Sequence, residues 1–379
     1  MKPTQFFNSN LENFSPEDTC LVEKQLVNQQ NIEGILLCVN EFLDRHTVTE
    51  QTKIVFCAVD EAVSAPTLCV VIAAVLHIKN KYHQLSSNNF YFLCSGWPCT
   101  YTVKEYKKLA KLMAANNYPS LLLKGYVDTA NINNKDYVPD LIPKKKEKTF
   151  LCYNGAGRVW RTDFVAGIVL LGLRDHCLLS YNDFEQAGVV CKSRKDELIK
   201  IAKTLEPVYL DYHTDTYNKI NQSHIDATYM SVVTETQYCG LETQLNSDHT
   251  VLAPSTTGPF PTEKTFRTIL SGHPFILVSA PFSLAALKER GFKSFSPHIN
   301  ESYDAIEDDE QRMYAIWNEM TRLSTLSDEE WISIQHSLTD TLIHNRQVLI
   351  EFYNKEHIYT EDELLQDTEF NAILKAKGY

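Results

Sequence analysis

Short runs of β-branched and aromatic residues alternate along most of the chain with longer stretches whose apolar positions recur every three or four residues. The short runs are too continuously apolar for amphipathic helices and read as strands buried on both faces; the longer stretches read as helices. The expected order starts with a strand at 54–59, a helix at 62–79, a strand at 90–94, a helix at 103–115 and a strand at 120–124. Residues 131–148 keep neither period, carry Pro139 and Pro143 beside a lysine cluster, and read as an interdomain linker. The alternation then restarts with a strand at 149–153, a helix at 162–173, a strand at 177–181, a helix at 195–205 and a strand at 229–234. In the next segment Thr262 can cap a helix whose inward face is Phe266, Ile269 and Leu270, with Gly272 ending it before a buried strand at 274–280. A helix at 284–290, a short strand at 292–295, and helical pattern from Asp308 through Trp317 and Trp331 to Tyr353 complete the chain before an acidic tail at 361–367.

Strands alternating with helices are βαβ units, which build parallel sheets. The expected fold class is therefore α/β, with one Rossmann-like domain at 1–143, a second at 144–325, and a C-terminal helical segment at 326–379 bracing the two. The length of 379 residues fits two domains, and 44% hydrophobic with 22% charged residues is a globular balance. Net charge is −12, and the one basic run, 144–148, is broken by Glu147, so nucleic acid is not an expected partner. Residues 1–12 lack the apolar core of a secretion signal and the longest apolar runs, such as 68–76, are short of a membrane span. The expectation is a cytoplasmic protein without integral membrane contact. Ten cysteines, at 20, 38, 57, 69, 94, 99, 152, 177, 191 and 239, lie mostly within apolar runs and form no C-x-x-C pair, as reduced core thiols do.

In open α/β sheets a ligand binds beyond the carboxyl ends of the strands, so residues just after each strand are the candidates. After the strand at 149–153 a Gly-Ala-Gly turn leads to Arg158 and Arg161, whose guanidinium forks suit phosphate oxygens. The turn is equally compatible with a plain tight turn bearing surface arginines. Glu235 follows the strand at 229–234 and could accept from ribose hydroxyls; Glu263 and Lys264 stand at a helix start, where the lysine and the helix's positive end could neutralise a diphosphate. Dipole complementation by Glu263 and a solvated Lys264 are the plainer alternatives.

The series Ser231-Val-Val-Thr-Glu235, then Thr262-Glu263-Lys264 and the strand after Gly272, resembles the nucleotide-sugar-binding half of GT-B glycosyltransferases, the α1,3-fucosyltransferase family above all. Residues 291–295 and 301–304 also look like a segment of virus- and bacterium-borne glycosyltransferase-like proteins. The resemblance covers roughly 149–325 and implies two Rossmann-like domains facing across a cleft. It implies that Arg158 or Arg161, with Glu263 and Lys264, holds the diphosphate and ribose of a sugar nucleotide, Thr262 and Glu235 belonging to the same site. The family's Glu-Asn-Ser after the strand is Glu235-Thr-Gln here, and the spacer to Thr262 is long.

No D-x-D occurs, so no metal or other cofactor is expected, the cations and a helix N-terminus serving the diphosphate instead. Asp60 and Glu61, after the strand at 54–59, are candidate catalytic bases, with helix capping as their alternative role. Trp97 could stack on an acceptor sugar. His213, His273 and His298 lack metal-ligand spacing, and Cys239 reads as a small apolar residue. The expected function is a metal-independent transfer of sugar from a nucleoside-diphosphate sugar to a glycan or protein acceptor; a non-catalytic sugar-nucleotide or glycan-binding module and an α/β interaction protein are the alternatives.

Overall fold

A computed structural model describes residues 18–22, 31–49, 51–62, 65–86, 89–95, 122–126, 137–155, 157–182, 187–210, 221–238, 259 and 261–354. The chain forms two compact units, the first chiefly from residues 1–128 and the second from residues 129–253 and 258–356, each α/β with a parallel four-stranded sheet.

In the first unit the sheet order is β1 (Thr19–Val22), β2 (Lys53–Ala62), β3 (Phe90–Ser95) and β4 (Leu122–Tyr126), all parallel. Parallel neighbours require crossovers, and α1 (Ile32–Arg45) and α2 (Ala65–Lys81) supply the first two. Neither β1 nor α1 was among the expected elements. β1 has only four residues, below the length at which period 2 is legible; α1 is capped by Asn31, whose side chain accepts from Gly34 N at 2.9 Å, and buries Ile35, Val39 and Leu43. β2 runs further than expected. Its pairing with β3 breaks between Ala58, opposite Cys94, and Ala62, opposite Ser95, so residues 59–61 form a bulge at the carboxyl end of the strand. The helix expected at 103–115 lies outside the described residues.

The second unit's sheet comprises β5 (Lys148–Asn154), β6 (Cys177–Tyr181), β7 (Thr228–Thr234) and β8 (Phe275–Val278), in the order β6-β5-β7-β8. The chain leaves β5 to one side, adds β6, then returns past β5 to place β7 and β8 on the other. The strand order thus reverses between β5 and β7. All seven residues of β7 and all four of β8 are buried, which is why both read as unbroken apolar runs. Seven α-helices join or cover this sheet among the described residues: α3 (Val159–Leu170), α4 (Lys195–Ala202), α5 (Gln222–Ala227), α6 (Glu263–Leu270), α7 (Ser283–Glu289), α8 (Asp309–Ser324) and α9 (Asp328–Asn354).

Helix α3 is buried continuously from Val159 to Ile168, an all-round apolar helix with polar insertions at Arg161, Thr162 and Asp163. At Gly167 it meets Trp317 of α8 so closely that an added Cβ would stand 2.0 Å from Trp317 Cζ2. Arg312, 1% exposed, is held by Asp309 Oδ1 at 2.6 Å and by the carbonyls of Tyr238, Ser279 and Ile306, so its buried charge is paired and bonded.

Two expectations are corrected. The described part of the lysine-rich segment is not a free linker: it packs on the second unit, Lys144 N donating to Gln335 of α9 at 3.1 Å and Arg346 donating to Tyr137 O. Pro139 and Leu141 fit against Gly272, whose φ of +65° ends α6. Residues 292–295 form no strand, because the side chain of Asn345 on α9 serves as the pairing partner: its Oδ1 accepts from Lys293 N at 2.6 Å and its Nδ2 donates to Lys293 O at 3.0 Å. Helix α9 lies in the second unit, where Trp331 stacks on Tyr229 at 5.0 Å. Among the described residues no helix is long and apolar enough to cross a membrane.

Candidate functional site

A groove opens at the reversal between β5 and β7, the place where open α/β sheets bind ligands. Leu151, Tyr153 and Gly155 come to it from β5 and its following turn, Ser231 to Thr234 from β7, and one face of α6 supplies Glu263, Lys264, Arg267, Thr268 and Ser271. Arg161, Ser180, Asn221 and Ile225 complete the lining. Its space is about 750 Å³ counted out to its opening.

The mouth, at the start of α6, rests on Glu235, which follows β7 and is fully buried. One carboxylate oxygen accepts from Thr262 N at 2.8 Å and Thr265 Oγ1 at 2.5 Å; the other accepts from Thr262 Oγ1 at 2.5 Å and Thr236 N at 3.3 Å. With its acceptor sites filled by protein and no exposed surface, Glu235 fixes the start of α6 against β7 instead of offering an oxygen to ribose. Thr262 caps α6 as its position suggested, accepting from Lys264 N at 3.4 Å. Lys264 Nζ lies 2.9 Å from Glu263 Oε1, 3.1 Å from Thr262 Oγ1, 3.3 Å from Thr236 Oγ1 and 3.9 Å from Glu235 Oε2. Burial would raise the Glu263 carboxyl, but the charge and hydrogen bond of Lys264 outweigh it and hold the group below its ordinary value.

Arg161 is 3% exposed, and its guanidinium donates to the carbonyls of Thr234 and Glu235 at 3.0 and 2.9 Å while lying over Trp160 at 5.1 Å. The side chain ties α3 to the end of β7 and carries a positive charge into the groove wall. Arg158 is the extended N-cap residue of α3, its carbonyl accepting from Arg161 N and Thr162 N; its side chain is half-buried and does not line the groove. Arg161, Lys264 and Arg267 set against Glu235 and Glu263 leave one net positive charge here, reinforced by the N-terminus of α6.

Further in, Arg267 lies over the Tyr153 ring at 5.2 Å, and Tyr153 Oη is 2.5 Å from His224 Nδ1. Asn221 Oδ1 accepts from Ser223 N, which turns its Nδ2 toward His224 Nε2 at 3.4 Å. That orientation makes Nε2 the acceptor and Nδ1 the donor to Tyr153. Of these, Arg267, Thr268 and Ser271 were legible as the positions that share Lys264's helical face. Asn221 and His224 were not, since α5 has six residues and follows a polar stretch without period.

Of the other candidates, Asp60 and Glu61 lie in the bulge of β2 within the strand and not after it, and their side chains are outside the described residues, as are Trp97, His213 and Cys239. The segments at 291–295 and 301–304 act as scaffold. Glu301 accepts from Phe295 N at 2.8 Å and Lys288 Nζ at 2.8 Å, and Asp304 accepts from Leu284 N and Ala285 N at the start of α7. Among the described residues no group of three or more His, Cys, Asp or Glu side chains is arranged to hold a metal ion. No protein-family model matches this chain, and no curated protein matches it.

Proposed function

We propose that the groove of the second unit binds the diphosphate of a sugar nucleotide, and that the chain is a GT-B-type glycosyltransferase acting on a glycan or protein acceptor. The observation that carries this reading is the convergence of Arg161, Lys264 and the α6 N-terminus at the strand-order reversal, on a surface otherwise formed by an acidic protein. In glycosyl transfer the nucleoside diphosphate leaves with growing negative charge. Fixed cations and backbone dipoles held by Glu235 and Thr262 stabilise that charge without rearranging. Lys264 supplies the point charge nearest the mouth, and Arg161 the buried one. In this reading the first unit receives the acceptor, with Asp60 and Glu61, on the β2 bulge, as candidates for the base that takes the acceptor's proton.

The test is a calorimetric screen of the full chain against GDP, UDP, ADP, CDP and their sugars, with the Glu263→Ala/Lys264→Ala variant alongside. Binding lost in the variant, followed by sugar transfer that Asp60→Ala or Glu61→Ala abolishes while donor binding persists, is the expected result. Donor binding without turnover in the parent chain would leave a binding module. Absence of nucleotide binding would end the donor-site reading.

A further inference from the structure

Lys264, Arg161 and the first N–H groups of α6 stand at the mouth, and Arg267 lies further along the same face of α6. At the inner end three hydroxyls line the wall: Ser231, Thr268 and Ser271. Each has its hydrogen committed elsewhere. Thr268 Oγ1 donates to Lys264 O at 2.9 Å, and Ser271 Oγ donates to Thr268 O at 2.8 Å. Ser231 Oγ lies 2.8 Å from His273 Nδ1, and His273 Nε2 lies 2.9 Å from Thr228 O. A carbonyl only accepts, so Nε2 carries the ring hydrogen. Burial pushes His273 down to about 4, so the ring is neutral at pH 7, Nδ1 is bare, and the serine is the donor. All three oxygens therefore present lone pairs, and no hydrogen, to the groove.

Their depth is consistent. Ser231 precedes Thr234 by three residues of strand, about 10 Å. Ser271 follows Lys264 by seven residues, again about 10 Å if measured along a helix. A ligand anchored by phosphate at the mouth meets these three acceptor oxygens with its far edge, the Arg267 guanidinium beside them lying over the Tyr153 ring.

We propose that the inner end selects a nucleotide whose base carries an exocyclic amine and disfavours one carrying a carbonyl in that place. This rests on the reading that the mouth holds a diphosphate. An amine supplies hydrogens to oxygens that have none to give, whereas a carbonyl facing the same oxygens would set acceptor against acceptor.

The experiment measures binding to the full chain of matched diphosphates that differ by one such swap, ADP against IDP and CDP against UDP, with inorganic pyrophosphate as the anion alone. The expected result is at least tenfold tighter binding of the amino member in one or more pairs. In Thr268→Val with Ser271→Ala the ratio should fall below about threefold, with pyrophosphate affinity retained as evidence that the fold and mouth are intact; Ser271→Ala alone should give an intermediate ratio. Equal affinities within every pair, or ratios unchanged in the double variant, would overturn the selection while leaving the diphosphate site standing. Pyrophosphate and all nucleotides failing to bind would overturn the diphosphate reading and this inference with it.

Discussion

Glu235 and Lys264 are neighbours with opposite parts. The carboxylate is fully buried and holds four donors of the Thr236 and Thr262–Thr265 backbone and side chains, whereas the ammonium stands at the groove mouth. Glu235→Ala strands those donors and is expected to lower the stability of the second unit by about 3 kcal/mol. Lys264→Ala should cost less than about 1 kcal/mol of stability yet weaken pyrophosphate binding at least tenfold. Urea titration followed by tryptophan fluorescence, beside calorimetry, separates the two; a reversed ranking would contradict these roles. A second pair works against itself in pH. Burial pushes Asp304 up to about 6 from 3.8 and His273 down to about 4 from 6.5. Between pH 4 and 6 the folded chain holds the Asp304 proton more tightly than the unfolded chain, so that group makes stability fall as pH rises; His273 binds protons only when unfolded, so it makes stability rise up to pH 6.5. Each contribution is roughly 3 kcal/mol, so they largely cancel. Asp304→Asn should therefore expose a stability that climbs from pH 4 to 6.5, and His273→Asn one that declines from pH 4 to 6, measured by urea midpoints across that range. Parallel curves in the two variants would refute the assignment.

Elements that carry one clear period were legible in the residues alone. β7 and β8 are unbroken apolar runs, and α6 was bounded by its cap Thr262 and its stop Gly272 before any contact was known. What failed were segments whose partners arrive from far along the chain. Residues 292–295 look like a strand, but one amide on α9, 52 residues away, satisfies Lys293 and no neighbouring strand is needed. Residues 137–147 look like a linker because nothing local shows that α9 and the Gly272 turn receive them. Helix α3 shows how tightly elements fit where small residues allow it. Its Gly167 faces the Trp317 ring, which has no room to withdraw because Trp317 is 1% exposed. Gly167→Ala is expected to destabilise the second unit by about 2 to 3 kcal/mol, despite the better helix propensity of alanine, because it forces α8 off α3. A neutral or stabilising result in thermal unfolding would show that the α3–α8 contact is looser than described.

At the scale of the molecule, the half of the site made of cations was readable, since arginine and lysine at strand ends and helix starts keep their charge wherever the chain puts them. The hydroxyl half was not readable. Whether Ser231 presents a hydrogen or a lone pair depends on His273, 42 residues later, and strand order, which decides where the groove opens, depends on which side of β5 the chain returns to. Among the described residues that groove is lined by the second unit alone, from Leu151 to Ser271, and its foundation in α3, α6 and β7 belongs to the same unit. Three of the four tryptophans, Trp160, Trp317 and Trp331, are buried in the same unit. Two compact units with separate sheets need not unfold together, and a ligand stabilises only the unit that binds it. Tryptophan fluorescence and far-ultraviolet dichroism are accordingly expected to give non-coincident urea transitions. A binding anion such as pyrophosphate at a hundred times its Kd should raise the fluorescence-detected transition by about 2.7 kcal/mol and leave the remaining dichroism step in place. Coincident transitions that move together on adding the anion would mean that the two units unfold as one cooperative body.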